Sequence, residues 1–474
     1  CHLNARELTG PIAWPIEGPL IPGLALAGSR STLPDPAVPP GPRVVGEATF
    51  SGAERQIALP EREALHHMHV VGPTGTGKST LLANLILQDI SDGRAVVVID
   101  PKGDLVADVA DRIPANHADR IVLLDPTDEE RPLGLNLLAG AHEAPELVTD
   151  QVIAIFHQMY SAFWGPRTQD VLHASLLTLS AEPGLTLCEL PLLLTNDAFR
   201  RRLVSRVDDA IALGPFWSWY EHLRSGERTQ AIGPVQNKLR PLLLRRRVRN
   251  VIGQARPTFT MGEVLAEPKV LLVSLAKGLL GPEAASLIGS LVVAQLWQAV
   301  QARAAFPAAQ RRPAFVYADE FQEYTALPTD IADVLAQARG FGIGMVLAHQ
   351  HLGQLPLQLR GAVLANARSR VVFQAAADDA GVLARQLGGG ITPGDLQDLG
   401  PFEVYAGLYA AGRVRSPISA HTYPLSEPLG TRGRVREASR ARYGRNRAEV
   451  EAEIVARQQQ LPPDRPIGRT GRRA

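Results

Sequence analysis

Apolar and polar positions follow two different rhythms in this chain. Residues 69–71 form a short apolar segment, and 94–100 and 121–125 are continuous apolar runs that each end in Asp. Runs of that kind are what strands buried on both faces of a parallel sheet require. The stretch 81–87 between them has helical spacing. From 140 to about 262 the strand signal disappears, and amphipathic stretches at 146–163, 168–179, 198–213 and 229–251 predict helices only. Strands and helices then alternate again, with strands at 269–274, 313–319, 343–348 and 370–374. Helices are expected at 284–303, 330–339, 357–367 and 378–387, and a β-rich piece at 403–418. Strand–helix alternation on both sides of a helical block predicts one doubly wound α/β domain, 44–139 and 263–425, split by an all-α domain at 140–262. Residues 1–43, rich in Pro and Gly, are expected to be a linker. Residues 44–59 are expected to form a hairpin turning at Ser51 and Gly52.

Between the first strand and helix lies Gly72, Pro73, Thr74, Gly75, Thr76, Gly77, Lys78 and Ser79, followed by Thr80. This is the G-x4-G-K-[ST] phosphate loop, and its strand–loop–helix setting aims backbone N–H groups and a helix N-terminus at a phosphate chain. Lys78 is expected on the β- and γ-phosphates and the Ser79 hydroxyl on Mg²⁺, so the fold class is a RecA-like P-loop NTPase with an inserted all-α domain. The expected ligands are ATP and Mg²⁺.

Such a site needs a carboxylate to orient the metal's water shell and, for hydrolysis, a base for the attacking water. Asp100, Asp125 and Asp319 all end strands, but only Asp319 is followed by Glu320. Asp319 is therefore assigned to Mg²⁺ and Glu320 to water activation, on a strand expected to neighbour the phosphate-loop strand. Asp100 and Asp125 precede prolines and are read as strand-end caps that can also line the site. Gln350 ends the next strand, where its amide can meet the γ-phosphate or the water. His349 and His351 are read as ordinary polar residues. Arg368 and Arg370 are candidate arginine fingers for a neighbouring subunit, and 340–344 is read as a turn.

Two cysteines, Cys1 and Cys188, exclude a disulfide framework and a cysteine zinc site. The longest apolar run, 284–300, contains Gln295 and Gln298 and is expected to be a buried helix, not a membrane span. The formal charge of +1 conceals an asymmetry, because 426–474 holds twelve Arg against six acidic residues. That tail is expected to be flexible, either simply solvated or facing an anionic partner. Arginine clusters at 200–202 and 245–249 are solvated helix faces, with nucleic-acid contact as the alternative. Lysine is confined to Lys78, Lys102, Lys238, Lys269 and Lys277.

Four segments together carry a family likeness: 70–80, 98–104 (Val-Ile-Asp-Pro-Lys-Gly-Asp), 318–322 (Ala-Asp-Glu-Phe-Gln) and 347–350 (Leu-Ala-His-Gln). They resemble the TraG/TraD-type coupling ATPases of conjugation and type IV secretion, within the FtsK/HerA-like group of motors, from about residue 44 to 424. The resemblance implies a homo-hexameric ring that uses ATP to deliver DNA, double- or single-stranded, or a DNA-linked relaxase or other secretion substrate. The destination would be a type IV secretion channel. It implies roles for Lys78, Ser79, Asp319, Glu320 and Gln350, with Arg370 as the favoured finger. It also implies a cytoplasmic chain at the inner face of the membrane, through an N-terminal anchor that has no counterpart in this sequence. The alternatives are a soluble HerA/FtsK-like DNA translocase, a protein-moving relative, and an ATP-controlled docking module with little hydrolysis.

Overall fold

The computed structural model describes residues 29–139, 144–324 and 331–459. Its framework is an eleven-stranded sheet in the order β2-β1-β13-β10-β9-β3-β8-β7-β4-β6-β5. The strands are β1 (Val44–Ala48), β2 (Gln56–Ala58), β3 (Met68–Val71), β4 (Ala95–Asp100), β5 (Ile121–Leu124), β6 (Val270–Ser274) and β7 (Ala314–Asp319). They continue with β8 (Ile343–His349), β9 (Ser369–Val372), β10 (Glu403–Gly407) and β13 (Ile418–His421), while β11 (Tyr409–Ala410) and β12 (Arg413–Val414) form a separate ribbon. From β9 to β5 every pairing is parallel. All residues of β3, β4, β5, β6, β7 and β9 are buried, as the apolar runs require. The expected hairpin is present as β1 and β2, with Gly52 at φ +82°.

The strand order corrects one expectation. β7 does not neighbour β3; β8 lies between them. The registers place Val71 opposite His349 on one side and Val372 on the other, and Asp319 opposite Ala348. The carboxyl ends of β3, β8 and β7 therefore meet at one edge, which is where a doubly wound sheet presents its ligand site.

Helices from Pro145–Met159 to Arg246–Ile252 form the expected insert. The predicted helix at 198–213 stops at Val204, and the next begins at Leu213, where Asp209 accepts from the backbone N–H groups of Ile211, Ala212 and Leu213. The apolar contacts of the insert run without a break into one face of the sheet, from Phe156, Leu176 and Leu239 to Val97, Ile99 and Val316. Helix Pro282–Ala302 bridges the two. It is long and apolar enough to cross a membrane, but Ile288, Leu291 and Val292 are packed in this core.

Two terminal expectations change. The part of the linker from residue 29 to 43 is docked on the sheet: Thr32 N–H donates to Ser419 Oγ, and Arg43 is fully buried. The tail is not flexible between 432 and 459. It forms helices Arg432–Tyr443 and Arg447–Gln459, the first packed on β5 and the second on the insert. Arg440 forks onto Asp128 through Nε (2.6 Å) and Nη2 (2.9 Å), and Ser439 Oγ accepts from Leu123 N–H. Residues 1–28, with Cys1, and 460–474 lie outside the described residues; Cys188 is a buried free thiol.

Candidate nucleotide site

The phosphate loop leaves β3 and enters helix Lys78–Ser91 through two glycines in left-handed conformation, Gly75 (φ +88°) and Gly77 (φ +110°). A Cβ on Gly77 would lie 2.7 Å from Phe402 Cδ1, so the position requires glycine for space as well as for φ. Phe402 supports the loop from behind, its N–H donating to Thr76 O at 2.8 Å. Thr74 and Gly75 are exposed at the loop's crest, and Ser79 is exposed on the first helical turn. Among the described residues, Thr76 Oγ1 closes the loop by donating to Pro73 O.

Lys78 is buried and its ammonium faces the acid pair, 3.6 Å from Asp319 Oδ1 and 3.3 Å from Glu320 Oε1. Glu320 sits in a left-handed backbone conformation (φ 44°, ψ 48°), which costs a non-glycine residue about 1–3 kcal/mol and persists where its surroundings over-determine it. Those surroundings are Lys78, the Gln350 amide donating to Oε1 at 2.6 Å, and the Gln322 amide donating to Oε2 at 3.0 Å. Burial pushes the Glu320 carboxyl up, but Lys78 and the two amides outweigh it and hold it below its ordinary range. Asp319 goes the other way. Burial raises it, and the nearby Glu320 and Asp100 carboxylates oppose the pull of Lys78.

Asp319 Oδ1 is buried and accepts no hydrogen bond from the described residues. A buried carboxylate oxygen facing only a cation is the donor that a hydrated Mg²⁺ can use, and the exposed Ser79 hydroxyl and glycine-lined loop fit a metal-bound triphosphate. The structure thus brings together the phosphate loop, Asp319, Glu320 and Gln350.

Asp100 and Asp125 behave as caps: Asp100 accepts from Lys102 N–H (2.9 Å) and Val106 N–H (3.1 Å), and Asp125 from Thr127 N–H. Gly103, at φ +93°, lets the 101–104 turn lie against Ser274. Lys102 and Asp100 both act on Asp319 through space, so this turn borders the site.

Arg370 is not brought to it. The residue is 7% exposed, lies opposite His69 in mid-sheet, and donates to the Leu364 carbonyl of its own chain. In this single chain the Arg370 guanidinium is thus directed to the Leu364 carbonyl and away from the surface. Arg368 is exposed and shares a cleft of about 390 Å³ with Arg339, Arg413, His66 and Tyr409. Sequence reasoning missed Gln322, although it stands two residues after Glu320 on the acid-bearing turn. It also missed Tyr324, whose hydroxyl donates to the Asp319 carbonyl at 2.5 Å, and Phe402, for which no sequence pattern exists.

A phosphate loop at the carboxyl edge of a parallel sheet, an acid pair facing its lysine and a helical insert define a P-loop nucleotide-binding protein of the RecA-like type. More particularly, the chain belongs to the type IV secretion-system coupling protein DNA-binding domain family, whose profile matches residues 53–203 and 278–390. Comparison with curated proteins gave no match. Among solved structures, it is similar to the bacterial conjugative coupling protein TrwBdeltaN70 in an unbound form, with 16% identity, TM-score 0.56, and coverage of 81% of this chain and 90% of that one. TrwB in complex with ADP and Mg²⁺ matches at 17% identity and TM-score 0.53, covering 81% and 92%. VirB4 of Thermoanaerobacter pseudethanolicus matches at 12% and 0.52, covering 84% and 100%. At these identities the likeness establishes the fold.

Proposed function

We propose that the chain hydrolyses ATP to move DNA, or a relaxase or other substrate linked to DNA, into a type IV secretion channel. The observation that carries this is Glu320, buried, facing Lys78 and hydrogen-bonded to Gln350 at the edge of the phosphate loop. A nucleotide switch needs the loop and a metal-orienting acid, but no such base. Membership of the coupling-protein family supplies the DNA and the channel as partners, and the TrwB complexes with ADP and Mg²⁺ support the choice of ligand.

In this reading the backbone of 74–79 and Lys78 hold the phosphates, while Ser79 and Asp319 hold Mg²⁺. Bound Mg²⁺–ATP supplies the phosphoanhydride whose cleavage drives movement. Lys78 is already paired with Asp319 and Glu320, so phosphate contact competes with that pairing. Releasing Glu320 from Lys78 raises its basicity, and Gln350 keeps the freed carboxylate oriented toward the water. The cleft of Arg339, Arg368 and Arg413 is then the face from which a hexamer neighbour would supply a cation, with Arg368 exposed and Arg370 buried in the single chain. The chain would work at the inner face of the membrane.

The decisive experiment compares ATPase rate with and without DNA for the wild type, Lys78→Ala and Glu320→Gln. Stimulation lost in both variants supports the proposal; an equal rate with and without DNA overturns pumping. Binding through phosphate contacts should also weaken steeply with salt.

A further inference from the structure

A buried histidine pair outside the nucleotide contacts has fixed protonation. His349 Nδ1 lies 3.0 Å from the carbonyl of His351, and a carbonyl only accepts, so this nitrogen carries the hydrogen. His349 Nε2 lies 2.6 Å from His69 Nε2. With His349 neutral and protonated at Nδ1, its Nε2 must accept and His69 Nε2 must donate. His69 Nδ1 is then a bare acceptor, and it has no partner among the described residues. Opposite His69 in register on β9 stands Arg370, whose Nε–H is a buried donor without a partner. The unmet acceptor and the unmet donor belong to facing residues of adjacent strands.

We propose that the hydrogen-bonded pair His69 and His349, with Arg370 beside it as a neighbouring cation and not as a hydrogen-bond partner, forms a polar relay across β3 and β8 that positions Gln350 and, with it, Glu320. His349 directly precedes Gln350, and its ring meets Phe321, the residue after Glu320, edge-on at 5.7 Å. A shift of the His349 ring is therefore transmitted to both residues that address the water. Arg370, His69 and His349 all act as positioning residues.

The relay holds only while both imidazoles are neutral, because a second proton would set two N–H groups against each other. The charged and titratable groups around it favour that state on balance. Burial is the main cause that keeps both imidazoles neutral. At His69, His349 and Arg370 from β9 add to it; at His349, Lys78 from the phosphate-loop helix and the His351 ring add to it, while the His351 carbonyl and Glu320 favour the charged form.

The proposal rests on the hydrolytic reading of the site, and its test separates the two. In the full chain labelled with ¹⁵N-histidine, ring nitrogens should show His349 protonated on Nδ1 and His69 on Nε2, assigned with His69→Gln and His349→Gln. His349 protonated on Nε2 would overturn the relay whether or not the protein hydrolyses ATP. For turnover, Arg370→Met should leave KM for ATP within about twofold and lower kcat about tenfold or more. It should also move the acid limb of the kcat profile upward, since His69 loses a neighbouring cation. A merely structural Arg370 would change stability and leave the pH profile in place, and that result refutes the proposal. Absence of wild-type turnover would defeat the functional reading and leave the ring-nitrogen test standing.

Discussion

One oxygen of Glu320 serves two partners: Oε1 accepts the Gln350 amide at 2.6 Å and faces the Lys78 ammonium at 3.3 Å. The proposed base, the amide proposed to aim it and the lysine assigned to phosphate are thus one connected unit. Glu320→Gln keeps the shape and removes the basicity, so kcat should fall about 10²- to 10⁴-fold while nucleotide still binds. Single-turnover hydrolysis with a parallel binding titration checks this. Turnover near wild type would remove Glu320 from the chemistry.

Lys78→Ala removes the cation and leaves Asp319 and Glu320 facing each other uncompensated. Mg²⁺–ATP at a hundredfold excess over Kd stabilises a native state by about 2.7 kcal/mol. The variant should lose most of the corresponding rise in Tm, measured by thermal unfolding with and without nucleotide.

Arg43 is fully buried, with Nε 3.2 Å from Asp89 Oδ1 and Nη2 donating to the Tyr317 hydroxyl at 2.8 Å. Its ring neighbour Phe315 lies 4.6 Å beneath the guanidinium. Replacing it by Ala leaves Asp89 with Arg94 Nη1 (2.8 Å) and the Tyr317 hydroxyl as its remaining partners, so a loss of about 1–3 kcal/mol is expected from the missing hydrogen bonds. Denaturant unfolding measures it, and the double change Arg43→Met with Asp89→Leu should recover part of the loss.

The Arg440–Asp128 fork predicts a pH dependence. Burial pushes the Asp128 carboxyl up, but Arg440 and the backbone amides of Glu130 and Arg131 outweigh it, leaving it below its ordinary value. A depressed carboxylate contributes stability above its unfolded pKa and loses it as the pH falls through the folded one. Hydrogen-exchange protection factors of helix Arg432–Tyr443, taken relative to intrinsic rates at each pH, should therefore fall as the pH drops through and below the ordinary aspartate range. Asp128→Asn should show fast exchange at neutral pH already and no such step.

Much of this was legible from residue pattern because buried parallel strands have a simple signature. The run 95–100 and the acid-tipped 314–319 need nothing but their own sequence to be placed, and the phosphate loop carries its own turn chemistry. Strand order is a different matter. That β8 separates β3 from β7 is decided by the helical crossovers, and nothing within 314–319 or 343–349 encodes it.

The arginines misled most. In 426–474 their number suggested a solvated tail, yet Val435, Ser439 and Tyr443, then Val450 and Ile454, stand at helical spacing and are buried. The periodicity was present beneath the charge. Arg370 sits in Ser-Arg-Val-Val, a short strand paired on both sides, where a side chain has no way out. The two histidines gave no signal, because an imidazole in an apolar run is equally at home as a solvated tip or a buried donor.

Arg43 has one more consequence. It belongs to the segment leading into β1, Asp89 to the helix that begins at Lys78, and Tyr317 to the strand that ends at Asp319. With the two hydrogen bonds between Val44 and Gln88, that guanidinium ties the segment entering β1 to the phosphate-loop helix and to the acid-bearing strand, so the front of the described chain and the nucleotide site share one set of contacts.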